Sequence, residues 1–190
     1  MSKIAPLLKR NQQFAASDSR ARLAASLSPR TPLFVVTCID PRVDPAAVLG
    51  VELGEAIILR NAGGRVTPAV IHDVAFLSYL GQVVERDGPL FEVAVVHHTM
   101  CETGLLANRG FRHAFAVRTG YGEEALAHQV VRDPAATVRA DVKRLLAAPQ
   151  VSPRISVSGH VYDLKTGLVS TVLPPISPGT DLAESCDTRA

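Results

Sequence analysis

Thiols and imidazoles hold soft divalent metals, and two of the three cysteines here stand in short clusters with other reactive side chains. The first cluster reads Cys38-Ile39-Asp40-Pro41-Arg42 and the second His97-His98-Thr99-Met100-Cys101. A lone buried cysteine is ordinarily small apolar filler. Two of them at comparable places, one with a histidine three residues before it, point to a metal. Thiolate and imidazole suit zinc, and three protein ligands leave a fourth position for water or substrate. His98 and Cys101 are one turn apart and can face one ion, whereas Cys38 must reach it from another segment. Adjacent residues of an extended segment point opposite ways, so His97 and His98 cannot both be ligands. His98 is assigned to the metal and His97 to the core or to a supporting role. Asp40 and Arg42 can pair. Beside a metal, Asp40 either binds the ion as a fourth ligand, closing the site, or is held off by Arg42 and accepts a hydrogen bond from metal-bound water.

These clusters need elements that bring them together. Four short apolar, β-branched runs read as strands: Leu33 to Thr37, Ala56 to Leu59, Phe91 to Val96 and Ile155 to Tyr162. The first leads into Cys38, the second into Arg60-Asn61-Ala62-Gly63-Gly64, and the third into His97-His98. Thr67-Pro68 and Asp133-Pro134 are helix starts, with a capping side chain followed by proline in the first turn. The first helix is expected to carry Val70, Val74, Leu77 and Leu80 on one face and to close at Gly81. The second carries Val138, Val142, Leu145 and Leu146 and closes before Pro149. Continuous apolar strands alternating with helices imply an α/β fold, a mostly parallel central β-sheet flanked by helices. Ligands collect at the carboxyl ends of such strands, where both clusters fall. The expected organisation is an N-terminal helical arm over residues 1–30, a catalytic domain over 31–173 and a mobile tail over 174–190 that contains Cys186.

Composition narrows the function. The chain has 190 residues, a length suited to one domain, and a net charge of +2 that argues against nucleic acid as a partner. No apolar run approaches the ~18 residues of a membrane span, and the N-terminus lacks a signal-peptide core. Three cysteines do not make a disulfide scaffold, so a cytoplasmic location is expected. The cysteines also lack the C-x-x-C arrangement of thiol redox proteins.

The paired motifs resemble the signatures of the β-class carbonic anhydrases, C-x-D-x-R and H-x-x-C, read here as Cys38-Asp40-Arg42 and His98-Cys101. Arg60-Asn61-Ala62-Gly63, the helix from Thr67 and the turn Asp163 to Gly167 match as well, so the likeness runs in order over about residues 30 to 173. The HHT-x-C form resembles a smaller branch that also contains carbon disulfide and carbonyl sulfide hydrolases. The resemblance implies Zn2+ held by Cys38, His98 and Cys101, an Asp40–Arg42 dyad, and reversible hydration of carbon dioxide to bicarbonate by zinc-bound hydroxide. It also implies a homodimer or dimer-based oligomer, the arm wrapped on a neighbour. Hydrolysis of carbonyl sulfide or carbon disulfide at the same site, or a structural zinc role, are the alternatives. Two thiolates cancel the charge of the ion, so activity is expected to rise toward alkaline pH. Val43, Val66 and Met100 are candidates for an apolar substrate pocket, and Glu102, His97 and His113 for proton transfer. Pro41, Met100 and Glu102 depart from the family pattern, which usually has Ser or Ala, a polar residue and Gly there. With no tryptophan in the chain, the Trp-dependent bicarbonate site of some relatives is absent.

Overall fold

A computed structural model describes residues 2–17, 28–84 and 87–179. Among these, five strands form one sheet in the order β2-β1-β3-β4-β5. They are β1 (Leu33–Cys38), β2 (Ile57–Asn61), β3 (Glu92–His98), β4 (Ser156–Asp163) and β5 (Leu168–Ile176). The first four run parallel, and β5 returns antiparallel beside β4. This is the expected α/β architecture. β1 and β3 are direct neighbours, with Thr37 opposite Val96, so the two clusters emerge side by side from one edge of the sheet.

The main core lies between one sheet face and two helices. Phe34, Val36, Val93, Val95, Val157 and Leu173 meet Val70 and Val74 of helix Pro68–Val84 and Val138, Val142 and Leu145 of helix Pro134–Leu146. Both helices begin where expected. Asp133 caps the second by accepting from the Ala136 amide at 3.0 Å.

Four sequence expectations change. Helix Pro68–Val84 continues through Gly81, because Gly81 sits against Leu90, which a Cβ would meet at 3.3 Å. β3 includes both histidines instead of ending before them. β5 was not expected; it continues to the buried Ile176, into the segment read as tail. Its two prolines are tolerated because an edge strand leaves amide positions unpaired. Val66 is 1% exposed in the main core and is not a pocket residue. Of the arm, helix Ala5–Ala15 is described and buries no residue; residues 18–27, like Cys186, lie outside the described residues.

One polar group crosses this core. Asp141 lies on the apolar stripe of its helix, fully buried, and takes Arg65 at 2.6 and 3.0 Å. Arg144 Nη1 donates to it at 2.6 Å and the Val66 amide at 3.1 Å. Burial by itself would raise the Asp141 carboxyl, but the hydrogen bonds from His97 and Arg65 outweigh it and hold the carboxyl at about 2. Since that lies below the ordinary 3.8, the stabilisation is complete above the ordinary value and is lost as pH falls toward about 2. Asp141→Ala, which strands the Arg65 cation, is expected to destabilise the fold by about 3–5 kcal/mol, read from urea unfolding at neutral pH. Between pH 4 and 2 the variant should lose less stability than the parent.

Candidate metal centre

At the carboxyl edge of the sheet, β1 delivers Cys38 and β3 delivers His98, with Cys101 three residues on. One donor atom from each lies within 4.8 Å of the others, and all three residues are buried. The sulfurs are 3.9 Å apart and unbridged. They share a proton: Cys101 falls to about 6, chiefly as the acceptor from Cys38, while Cys38 is pushed up to about 12 by that same bond and by burial. His98 is 1% exposed; its Nδ1–H donates to the Thr99 carbonyl at 2.9 Å, which fixes the tautomer. Its Nε2 is buried with no hydrogen-bond partner. A buried polar atom left unpaired costs about 1–3 kcal/mol, so it belongs to a site that something else completes. Two thiols and an imidazole lone pair aimed together fit zinc.

The backbone around the donors is fixed by side chains of neighbouring strand ends. Asp40 opens a tight turn over Pro41–Val43, accepting from the Arg42 amide at 2.9 Å. Pro41 sits at the start of that turn, where a missing N–H and a fixed φ are harmless. Arg42 holds both oxygens of the Asp40 carboxylate, at 2.9 and 2.5 Å, and thereby keeps the carboxyl at about 2. In this arrangement Asp40 is gripped by Arg42, with Oδ2 4.0 Å from His98 Nε2.

Arg60, at the end of β2, does the same for the strand that carries Cys38. It donates to the Cys38 carbonyl at 2.9 Å, the Asp40 carbonyl at 2.6 Å and the Asp44 carboxylate at 2.7 Å. Beyond it, Asn61 brackets the amide and carbonyl of Arg65, each at 2.8 Å, around the Gly63-Gly64 bend. Gly64 has φ +65, and a Cβ there would lie 2.8 Å from the Thr37 carbonyl carbon, so only glycine lets this loop touch β1.

On the β3 side, Thr99 ties the loop to the turn after β4: its hydroxyl accepts from the Leu164 amide at 3.0 Å and donates to Asp163 at 3.3 Å. Met100 adopts φ +54 and points its carbonyl at Arg42 Nη2, 3.3 Å away. Glu102 is exposed, at the start of the tight turn Glu102–Ala107. Val43 and Val131 pack on the two cysteines, with Tyr162 and Leu164 beside them.

The structure thus brings together Cys38, His98, Cys101, Asp40 and Arg42. His97 turns to the opposite face, as strand alternation requires. Its nitrogens reach Thr137 at 2.9 Å and the Gly64 carbonyl at 3.2 Å, with Asp141 at 3.4 Å. His113 is an exposed helix residue paired with Glu123 at 2.8 Å. The fixing roles of Arg60, Thr99 and Asp141 were missed from sequence. Asp141, a carboxylate amid an apolar helical stripe, was the one with a readable signal.

The chain is similar to known proteins in sequence and in fold. A carbonic anhydrase family model matches residues 33–115. The chain is 30% identical over 148 residues to beta-carbonic anhydrase 1 of Mycobacterium tuberculosis, covering 78% of this chain and 86% of that one. Among solved structures, a carbonic anhydrase from Streptococcus mutans superposes with a TM-score of 0.74 at 32% identity, over 90% of this chain and 98% of that one. A carbon disulfide hydrolase, at 22% identity and a TM-score of 0.58 over 98% and 96% of the two chains, shares the fold.

Arg60→Lys keeps the charge but loses the planar fork that spans two carbonyls and a carboxylate. The variant is expected to weaken zinc retention on the order of 10-fold, measured by competition with a chelator.

Proposed function

The chain belongs to the β-carbonic anhydrase family, and on that footing we propose that it is a zinc enzyme interconverting carbon dioxide and bicarbonate. Cys38, His98 and Cys101 hold the ion, and Asp40 and Arg42 form the catalytic dyad. The observation that carries this reading is the buried Sγ–Nε2–Sγ cluster whose imidazole nitrogen has no hydrogen-bond partner.

Zinc held there supplies Lewis acidity, which makes water nucleophilic near neutral pH. The protein supplies the rest. Asp40, held at about 2 by Arg42, is ionised at any working pH and serves as a fixed hydrogen-bond acceptor that orients the reacting water. Arg42 occupies both carboxylate oxygens from one side, which keeps Asp40 off the three donors and orients it. Having its own hydrogen bonds from Arg42, Asp40 does not titrate between pH 5 and 9. A rise of activity with pH in that range therefore belongs to the reacting water. Val43 and Val131, with Tyr162 and Leu164, give the cysteine side of the site an apolar wall suited to a small linear apolar substrate.

The reading extends to assembly and location. Helix Ala5–Ala15 exposes Leu7 and Leu8, with Ile4 just before it, and helix Pro68–Val84 exposes Phe76, Tyr79, Val83 and Val84 beside the edge strand β2. These apolar surfaces support a homodimer, with the arm laid on a second copy. Two thiols 3.9 Å apart that must stay reduced to bind metal support a cytoplasmic location. No helix among the described residues is long and apolar enough to cross a membrane.

Stopped-flow hydration of CO2 at pH 8.5, run beside an assay on carbon disulfide, tests the substrate. Turnover of CO2 is expected; turnover of carbon disulfide alone would move the chain to the hydrolase alternative. Asp40→Asn is expected to lower kcat/KM at neutral pH on the order of 10²-fold with zinc content unchanged. Cys38→Ser and Cys101→Ser are each expected to lose most bound zinc, read by elemental analysis.

A further inference from the structure

The Cys101 sulfur has a second polar neighbour with no task so far. Thr103 Oγ1 lies 3.2 Å from Cys101 Sγ, two residues along the chain in the turn Glu102–Ala107. The hydroxyl is seated from behind. A Cβ built on Gly63 would come within 3.2 Å of that oxygen, so the glycine of the β2 loop leaves the room in which the hydroxyl sits. Gly63 itself has φ +80, a conformation that strains other residues. Two loops from different strands therefore converge to place one hydroxyl against one of the two sulfurs.

A threonine hydroxyl has one proton to donate, and a thiolate has none. With Cys101 as a ligand, the bond can run only from Thr103 to sulfur. A hydrogen bond of this kind fixes the direction of a ligand and draws charge from it. Cys38 is held otherwise. Its carbonyl is gripped by Arg60, and its sulfur meets Cys101 and the Asp40 backbone amide, where Cys101 has the Thr103 hydroxyl. The two sulfurs are thus inequivalent by construction.

We propose that Thr103 is a positioning residue of the metal centre, whose hydroxyl donates to the Cys101 thiolate, orients the sulfur and moderates its electron donation. The proposal rests on the reading of Cys101 as a metal ligand.

The test replaces zinc by cobalt(II) in the full chain and records the thiolate-to-cobalt charge-transfer absorption. Thr103→Val keeps the shape of the side chain and removes the donor; Thr103→Ser keeps the donor. In the valine variant the band is expected to move to longer wavelength, because a sulfur without its hydrogen bond gives up charge more easily. Its cobalt affinity, by chelator competition, should fall on the order of 10-fold. Thr103→Ser should restore both, and Thr103→Ala should repeat the valine shift if valine does not fold. Superimposable spectra of the parent and the valine variant would overturn the proposal and leave the metal site standing, as would a serine variant shifted as far as valine. A parent protein without a thiolate band would remove Cys101 from the ligands, and the proposal with it.

Discussion

Two thiols buried 3.9 Å apart beside an imidazole nitrogen with no hydrogen-bond partner form an arrangement the protein does not satisfy by itself. Each donor is held there from outside the cluster. Arg60 grips the Cys38 carbonyl, the Thr99 carbonyl fixes the His98 ring, and the turn after Cys101 closes with the Gly104 amide donating back to the Cys101 carbonyl at 3.0 Å. A divalent cation held by Cys38, His98 and Cys101 would resolve the conflict, giving both sulfurs and the His98 nitrogen a partner. Metal binding is therefore coupled to the stability of this edge of the sheet. The parallel pairing of β1 with β3 makes the cluster possible, because it sets the ends of two distant segments next to each other.

Three arginines keep that edge in order, each in a distinct way. Arg42 is half exposed and holds the Asp40 carboxylate. Arg60 reaches backward along β1 and fixes its last carbonyls. Arg65 is buried and joins the β2 loop to helix Pro134–Leu146 through Asp141. All three use the planar fork of the guanidinium, whose donors on separate nitrogens reach spaced acceptors in a fixed geometry that the single nitrogen of a lysine lacks. The loops at the ends of parallel strands are rich in carbonyls with no strand partner, and these side chains supply the missing donors. The two adjacent histidines divide the work: His98 faces the two cysteines and His97 braces the loop at Gly64.

Much of this was legible in the sequence because the relevant forces are local. Strand alternation alone separates His97 from His98. The Asp-Pro and Thr-Pro starts of two helices are short-range capping signals, and the two-residue spacing of Asp40 and Arg42 already implies their pairing. What could not be read depends on partners far along the chain. Helix Pro68–Val84 passes Gly81 because of Leu90, and Arg65 finds its acid 76 positions away. β5 is mostly exposed and carries two prolines, so its composition resembles a tail; pairing with β4 makes it a strand. Thr103 has no pattern at all and becomes visible only when Gly63 is seen to leave room for it.

The three departures from the family pattern are absorbed by one local geometry. Pro41 occupies the turn position where proline is favoured, so it stiffens the segment between Cys38 and Arg42 without removing a needed donor. Met100 accepts a left-handed backbone, a conformation that costs of order 1–2 kcal/mol for a residue with a side chain. In return its carbonyl meets Arg42, and the two loops that carry the cysteines become joined through the Asp40–Arg42 ion pair. Glu102 is exposed, with its charge felt by Arg42, and its carboxylate leaves the apolar wall of Val43 and Val131 intact. Stiffness at residue 41 and strain at 100 thus converge on one result. The guanidinium of Arg42 is tied to both strand ends at once, and the Asp40 carboxylate it carries is set beside the three donors before any metal or substrate arrives.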